Sequence, residues 1–492
     1  MDCAAQYGHL EVVGYFHEHG NGGCTFKAMN SAAFHGHLDI VRFLHNHRSE
    51  GCTSSAMDYA ADRVHIDIVR FLHFHRAANA VLNQCSTNAM NGAAGNGHTD
   101  VMRYLREHRT EGWTAAAMGE AAGNGHLDVV RLLYERRSER STAAAMDNAV
   151  RHGHLEIVRF FHQYRSRAFS VSAMDTAAGS GHVSVLHFLY RFRRERCSAA
   201  AIERAVSNGH LRIVQFLHRH GLSSSTTLAM DGAAENGHLA VVRFLHFHLQ
   251  ERYSTAAMDH AAAGGYLETV RFLHEHGRKG CTTYAMNIAS KRGHYDVVRF
   301  LHDNRTEGST VKAMEGAALN GHFCVVKFLH DHRREGCTTQ AMDTAAANRH
   351  FAMIKFLHEH RSEGCSVEAM NNASRQGALS VLQYLHEHRT EGCTPSAMSA
   401  AAERGHFNVV RYLHQHNLAE CAKQAAECAV RGGHLHISKF LVTNGSGDWG
   451  WQSLDFKALL LVTHRPRFLA ALPSEDNATR PRKKRRKRRK CA

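Results

Sequence analysis

The chain has 492 residues, of which 43% are hydrophobic and only 4 are proline, so it can bury a large core and has little room for proline-rich linkers. It contains no run of about 18 apolar residues, and its start lacks the blocks of a signal peptide, which predicts a soluble intracellular protein with no membrane partner. Ten of the formal net charge of +15 come from Lys and Arg between residues 480 and 490, so the rest of the chain is nearly balanced.

The methionine of an Ala-Met-(Asp/Asn) motif returns at a fixed interval. The interval is 28 residues with one step of 33, and the methionines are Met1, Met29, Met57, Met90, Met118, Met146, Met174, Met230, Met258, Met286, Met314, Met342, Met370 and Met398. Ile202 and Ala426 fill the remaining two places, which makes sixteen copies. Such a period predicts one supersecondary unit stacked many times, whose function lies in a surface. Because Met1 already occupies the motif, either the array begins there or a preceding segment is missing from this chain.

Each copy predicts two short helices joined by a turn. A hydroxyl residue four positions before the methionine is suited to cap the first helix, as at Thr53, Thr114, Thr282, Thr338, Ser366 and Thr394. Seven positions after the methionine Gly favours a left-handed turn, and only Val64 and Arg349 replace it. Leu, Val and aromatic residues then recur with the 3.6-residue spacing of a second helix. Each unit therefore buries its apolar face only against its neighbours.

The run Ala-Ala-Gly-Asn-Gly-His-Leu-Asp-Val-Val-Arg-Leu-Leu at residues 121–133 resembles the ankyrin repeat. Two features depart from that family: x-Ala-Met-Asp replaces its Thr-Pro-Leu-His tetrad, and the period is about five residues shorter than the usual 33. The shortening falls where ankyrin units place their hairpin finger. We therefore expect an all-α, ankyrin-like helical-repeat solenoid with shortened hairpin fingers over residues 1–445. Tetratricopeptide and leucine-rich repeats fit the period and the Leu spacing poorly.

The residues two before, two after and five after each methionine vary most, and helical geometry places them opposite the buried Ala-Met-Ala-Ala face. The resemblance to ankyrin arrays implies that this stripe lines a concave surface that recognises another protein. The candidate partner-binding residues are Tyr284, Ile288, Lys291, Tyr59, Arg63, Phe34, His260 and Arg375. An aromatic, an aliphatic and a cationic side chain aligned at residues 284–291 are typical of an interface anchor. The alternative is a solvated face with no partner.

Most of the 43 histidines occupy three repeat positions and form His-x-His pairs that suggest zinc. Residues two apart on a helix point in different directions, and equivalent residues of stacked repeats lie roughly 10 Å apart, too far for shared coordination. We therefore predict structural histidines that bond loop carbonyls and cap helix ends, with no metal site and no cofactor. Seven of the 13 cysteines share a position that elsewhere holds Trp113, Phe169 or Tyr253, which indicates a partly buried packing site. No catalytic or phosphate-loop pattern is present, so we predict a non-enzyme.

The C-terminal end departs from the repeat. Residues 446–472 are rich in Trp, Leu and Phe and predict a segment that caps the stack, and residues 473–492 predict a disordered basic tail. Its cations resemble a monopartite nuclear localisation signal and are Arg482, Lys483, Lys484, Arg485, Arg486, Lys487, Arg488, Arg489 and Lys490. The resemblance implies a nuclear import receptor as a partner and a location in the nucleus or the nucleolus, with a cytoplasmic pool.

The sequence thus predicts a non-enzymatic protein-protein interaction scaffold. The alternative is a nucleic-acid-binding solenoid that uses its tail together with the basic rows of the second helices. In seven copies these rows carry an acid three residues before an Arg, as in Asp128 and Arg131, which favours screened surface pairs.

Overall fold

The structure is a computed structural model that describes residues 1–20, 23–75, 86–109, 112–134, 139–164, 172–193, 197–222, 227–249, 253–277, 279–419 and 422–444. Every regular element in these ranges is an α-helix, which confirms the all-α prediction. None of the described helices is long and apolar enough to cross a membrane. The chain divides into two compact units, Met1–Ser254 and Thr255–Ala492.

The helices of the first unit are α1 (Asp2–Gln6), α2 (Leu10–Glu18), α3 (Phe26–His35), α4 (Leu38–His47), α5 (Ser54–Asp62), α6 (Ile66–His75), α7 (Thr87–Gly95), α8 (Thr99–His108), α9 (Ala115–Gly123), α10 (Leu127–Tyr134), α11 (Glu139–His152), α12 (Leu155–Gln163), α13 (Ala173–Gly179), α14 (Val183–Arg193), α15 (Ala199–Ser207), α16 (Leu211–Arg219), α17 (Thr227–Glu235) and α18 (Leu239–Leu249).

The helices of the second unit are α19 (Thr255–Gly264), α20 (Leu267–His276), α21 (Thr283–Arg292), α22 (Tyr295–Asn304), α23 (Val311–Leu319), α24 (Phe323–His332), α25 (Gln340–Ala347), α26 (Phe351–His360), α27 (Val367–Arg375), α28 (Leu379–His388), α29 (Ser396–Glu403), α30 (Phe407–Gln415), α31 (Ala422–Arg431) and α32 (Leu435–Asn444).

Each odd-numbered helix is the first helix of a repeat, and the even-numbered helix that follows it is the second helix. Within each unit a first helix packs against its own second helix and against the first helices of its neighbours, as α21 does against α22 and α23. The motif methionine and its alanines fill this contact: Ala285, Met286 and Ala289 are all buried. Small residues beside the methionine let the first helices approach closely, and this packing is the core of each repeat.

Hydroxyl residues cap the first helices as predicted. The Thr282 Oγ1 accepts a hydrogen bond of 3.1 Å from the Tyr284 amide at the start of α21. The same bond forms at Thr25, Ser86, Thr114, Ser198, Thr310, Thr338 and Ser366. Thr53 and Thr394 make no cap bond with their own helices. The Thr53 hydroxyl accepts from Asn30 of the preceding repeat, and the Thr394 hydroxyl donates to Asn371 Oδ1 of the preceding repeat.

The acid or amide that follows most of the motif methionines ties one repeat to the next, a role that the sequence did not reveal. Asp259 accepts from the Thr282 amide at 2.8 Å and from the Thr282 hydroxyl at 2.7 Å. Equivalent pairs are Asp2–Thr25, Asn30–Thr53, Asp58–Ser86, Asn91–Thr114, Asp175–Ser198, Asp231–Ser254, Asn287–Thr310, Asp343–Ser366 and Asn371–Thr394. Because one carboxylate bonds both groups of a capping residue, each first helix begins in a register set by its predecessor.

Turn glycines pack closely against histidines of the next repeat. Gly265 has a φ of 77°, and a Cβ added there would lie 2.5 Å from the Nδ1 of His294. The Nε2 of His294 donates to the carbonyl of Ala263 at 3.0 Å. Similar bonds join His37, His65, His98, His154, His182, His210 and His238 to the preceding repeat. The predicted carbonyl bonding and capping of helix ends are confirmed: Ala263 lies in the last turn of α19, so His294 caps the C-terminal end of that helix and makes no cap bond at the start of α22.

The two residues that replace the turn glycine keep its conformation. Val64 has a φ of 67° and Arg349 a φ of 61°. After Arg349 the next repeat carries Ala378 where most repeats have histidine, which leaves space for the arginine side chain. The Arg349 guanidinium donates to the Gln376 carbonyl and so replaces the histidine link with one in the opposite direction.

Opposite effects on stability are expected from two substitutions at these turns. Gly265→Ala adds a Cβ against His294 in a left-handed conformation and is expected to cost about 1–3 kcal/mol. Val64→Gly relieves a β-branched residue of that conformation and is expected to stabilise by about 1 kcal/mol. Gly14→Ala is the control, because α2 leaves open space there. Urea unfolding followed by circular dichroism measures the free energy of unfolding of all three variants. Equal effects of Gly265→Ala and Gly14→Ala would contradict the role of this glycine in packing against the histidine.

A second set of histidines forms a ladder along the second helices. The His302 ring meets Phe328 of the next repeat edge-on at 5.4 Å and lies 5.5 Å from His332. The His332 ring stacks on Phe328 at 4.4 Å, and its Nδ1 donates to the Phe328 carbonyl at 3.0 Å. The pattern recurs at His330, Phe356 and His360. These His-x-His pairs therefore belong to the packing between second helices.

Short loops bury the cysteine position beside an ion pair. Arg305 binds Glu307 in the loop after α22, and Glu307 also accepts from the Cys281 amide at 3.2 Å. Arg305 lowers the pKa of Glu307 to about 2, and burial raises the pKa of Cys281 to about 11. Arg333, Arg361 and Arg389 repeat this pairing. Of the cysteines described at this position, Cys52, Cys281, Cys337 and Cys365 are buried, as the packing prediction requires.

Candidate interaction surface

The side chains two before, two after and five after each methionine form what we call the first-helix face. The methionines and alanines of the same helices are buried, so these positions are the ones that remain open to a partner. Of the predicted residues on this face, Tyr59, Tyr284 and Lys291 are exposed, and Phe34, Ile288, His260 and Arg375 are half-buried. Arg63, six residues after Met57, lies next to the face and is exposed. The predicted orientation of the first helices is thus the one the structure has. Binding by these residues stays a prediction.

Three of the predicted residues meet in the first unit. The Phe34 ring on α3 meets the Tyr59 ring on α5 edge-on, with centroids 5.4 Å apart. The Arg63 guanidinium lies over Phe34, 4.5 Å from its centroid. Tyr59 remains 43% exposed. A ring that packs against a second ring and also holds a cation over its face gives an aromatic surface of fixed geometry, and we call these three residues the aromatic cluster.

Tyr284, Ile288 and Lys291 lie on one side of α21, which we call the anchor stripe. Their spacing of four and then three residues places them in line along the helix. Tyr284 is 50% exposed. A Cβ added at Gly316 on the next first helix would lie 2.8 Å from the Lys291 Cβ, so this glycine makes room for the lysine. The stripe is therefore seated against its neighbour and still accessible.

The other two predicted residues of the second unit lie apart from each other. His260 is on α19, which packs against α21, so it lies one repeat before the anchor stripe. Arg375 ends α27, three first helices beyond α21, and its Nη1 donates to the Asn372 Oδ1 at 3.2 Å. The structure thus supports one compact candidate group around α21 and does not bring Arg375 to it.

Asparagines near the first-helix turns serve packing. The Asn320 side chain donates to the Lys291 carbonyl at 2.9 Å, and Asn348 donates to the Leu319 carbonyl at 2.9 Å. Asparagine at this position links neighbouring repeats, a role that the sequence analysis did not find. Its sequence signal is the recurrence of Asn just before the turn glycine.

Within the described ranges no three His, Cys, Asp or Glu side chains are grouped so that they could hold a metal ion.

The predicted C-terminal capping segment and basic tail lie outside the described part of the chain. They are residues 446–472 and the basic residues from Arg482 to Lys490, and the predicted boundary at residue 445 is also outside it. The extra residues of the 33-residue copy fall partly in the range 76–85, which is also outside it.

Comparison with known proteins gives a family match. The model of ankyrin repeats in three copies matches residues 1–84, 57–142, 202–314 and 369–448, which together span more than half of the chain. The search among curated proteins found no match.

Solved structures give weaker likenesses. The crystal structure of the pentatricopeptide repeat protein PPR10 from maize has 12% identity and a TM-score of 0.28, covering 93% of this chain and 83% of that one. PPR10 in complex with an 18-nt psaJ RNA element has 11% identity and a TM-score of 0.36, covering 96% of this chain and 82% of that one. Scores this low carry no argument about this chain.

Proposed function

Because the chain belongs to the ankyrin repeat family, we propose that it is a non-enzymatic scaffold that binds a protein partner through its first-helix face. The observation that carries this proposal is the anchor stripe, in which Tyr284 is half exposed beside Ile288 and Lys291. A solvated face has no need of an aromatic side chain, whereas interface centres are enriched in Tyr and in packed aliphatic groups.

The rigidity of the surrounding repeat supports this role. α21 begins at the Thr282 cap, which Asp259 of the previous repeat holds, and it ends at Gly293. A stripe on a helix fixed at both ends loses little conformational freedom when a partner covers it, so more of the contact energy appears as affinity. The aromatic cluster of Phe34, Tyr59 and Arg63 is a second contact point of the same kind in the first unit.

We further propose that the basic tail carries the protein to the nucleus by binding an import receptor. The support is compositional: residues 480–490 hold ten Lys or Arg and no acid, and such a block is suited to an acidic groove. A nucleolar fraction held by RNA and a cytoplasmic pool are part of the same proposal.

Deleting residues 480–492 is expected to move a fluorescent fusion of the protein from the nucleus to the cytoplasm. The mass of 54.9 kDa makes passive entry slow, so the change in distribution should be large. Fusion of the same residues to an unrelated cytoplasmic protein is the control for sufficiency. Unchanged nuclear accumulation of the deletion variant would contradict the proposal.

Affinity purification of the full chain with and without nuclease treatment tests the scaffold proposal. A protein partner that survives nuclease and is lost from a variant of the anchor stripe supports it. Partners that all disappear with the nucleic acid would contradict it and favour the nucleic-acid-binding alternative.

A further inference from the structure

The last turns of second helices α12, α14 and α16 carry side chains that break the pattern of the other repeats. Seventeen residues after the methionine most copies have an acid or an amide, and the acids are Glu18, Glu107, Glu135, Glu275, Asp303, Asp331, Glu359 and Glu387. Arg191 and Arg219 take this position in α14 and α16, and both are exposed. One residue later, where histidine is usual, stand Tyr164 and Phe192. We call these four residues the outer edge.

Both aromatic rings of the outer edge contact neighbouring rings and are also exposed to solvent. Tyr164 is 55% exposed and Phe192 is 53% exposed. The Phe192 ring lies 4.8 Å from Phe188 and 5.8 Å from His162, and the Tyr164 ring lies 4.8 Å from Phe160. Neighbours therefore restrain each ring on one side while much of its surface faces solvent. Such a ring can stack on a planar group with little loss of its own freedom.

The charge around the outer edge is positive. Residues 172–222 contain seven arginines and three acids, and one of these acids, Asp175, is buried. Among the residues that the structure describes, no carboxylate lies within ion-pair distance of Arg191, Arg212 or Arg219. Some second helices elsewhere pair a cation with an acid, as Arg159 does with Glu156 at 3.0 Å. With no described carboxylate beside them, these arginines give this part of the first unit a field that favours anions.

Ring contacts show that the three helices are direct neighbours. The His162 ring on α12 lies 5.3 Å from Phe188 on α14. The His187 ring on α14 lies 4.3 Å from Phe216 on α16, and the Tyr190 ring lies 4.5 Å from His220. Packed helices lie about 8–10 Å apart, so cations and rings recur along the edge at the step of one repeat.

We propose that the outer edge binds single-stranded nucleic acid. Bases stack on Tyr164 and Phe192, and backbone phosphates pair with Arg191 and Arg219. Cations that track a backbone beside aromatic rings that accept bases of any sequence are the two parts of such a site. An acidic protein segment would use the arginines and have no need of two open rings. The surface differs from the first-helix face, so this proposal does not rest on the proposed function.

Fluorescence anisotropy with a labelled single-stranded RNA of about 20 nucleotides tests the charges, with the full chain as the protein. Arg191→Glu with Arg219→Glu is expected to weaken binding about tenfold or more. The slope of log affinity against log salt should fall by about 0.7 for each lost phosphate contact. Arg271→Glu with Arg411→Glu is the control, because both arginines are exposed, the charge change is the same and the tail is intact. Equal weakening in the two variants would overturn the proposal.

Leucine substitutions test the rings. Tyr164→Leu with Phe192→Leu keeps apolar packing and removes the planar surfaces, so it is expected to weaken RNA binding about fivefold or more per lost stack. Binding of a labelled polyglutamate peptide should not change in this variant. If RNA binding is also unchanged, and polyglutamate competes as well as RNA does, the edge is a site for an acidic protein and the nucleic-acid proposal is wrong.

Discussion

Replacing Tyr284, Ile288 and Lys291 together with alanine is expected to weaken binding of the protein partner by about 30-fold or more. Loss of an interface anchor costs about 2 kcal/mol or more, and each 1.4 kcal/mol is about tenfold in affinity. The melting temperature should change little, because exposed substitutions usually shift stability by less than about 0.5 kcal/mol. Binding to the purified partner, measured by calorimetry, and circular dichroism melts give the two quantities.

Asp296, Arg299 and Asp303 supply the matched control. All three are exposed on α22, the second helix of the same repeat. The Arg299–Asp303 pair, at 3.8 Å on the surface, contributes little to stability. Their triple alanine variant should bind the partner normally. Equal loss of binding in both variants would show that the first-helix face is not the interface, and a large loss of helicity in the first variant would show that the anchor stripe is structural.

Lowering the pH from about 7.5 to about 5 is expected to lower the melting temperature, because several histidines are neutral in the folded protein. Burial lowers the pKa of His45, with repulsion from His75 as a second cause, and burial likewise lowers the pKa of His65, His126 and His406. The unfolded chain then binds more protons than the folded one below the unfolded value of about 6.5. The stability that these histidines contribute is complete above the unfolded pKa, and it is lost as the pH falls through their pKa values in the folded protein.

The paired glutamates affect stability in a different pH range from the histidines. The pKa of Glu307 is lowered to about 2, so the stability from its pair with Arg305 is present above the ordinary glutamate value and is lost only in stronger acid. A fall in melting temperature between about pH 7 and about pH 5 therefore reports histidine and not glutamate. Each 1 kcal/mol lost shifts the melting temperature by about 2–4 °C in domains of the size of these units. A flat profile would contradict the account.

A chelator separates structural histidines from a metal site. Melts at about pH 7.5 with and without a chelator are expected to coincide, because the histidines bond carbonyls and rings within the fold. His294 bonds the Ala263 carbonyl, and His332 stacks on Phe328. A fall in the melting temperature on addition of the chelator would support bound zinc instead.

Local features of the fold were predictable from the sequence. The Thr282 cap and the Gly293 turn depend on residues a few positions away, so the repeat pattern was enough to predict them. The Asp259–Thr282 bond was not predicted, because it depends on the register between repeats. Its signal was present: an acid or amide follows most methionines, and a hydroxyl residue follows 23 positions later in most copies.

The sequence was enough to predict which side of the first helices is exposed. It was not enough to predict which of the exposed side chains contact one another. Helical spacing alone places Tyr284 and Lys291 away from the buried methionine. That Arg63 lies over Phe34 could not be foreseen, because the two residues belong to different repeats and their distance depends on how the repeats pack. The outer edge was missed for another reason: Arg191 and Phe192 differ from their counterparts in neighbouring repeats, and a search for the consensus passes over such differences.

Photo-crosslinking from chosen positions reports where the partner sits. A photoreactive amino acid placed at position 284 on the first-helix face, and separately at position 299 on α22, is activated in the presence of the purified partner. The scaffold account predicts a crosslink to the partner from position 284 and none from position 299. A crosslink from position 299 alone would contradict the account, because the partner would then lie on the second helices.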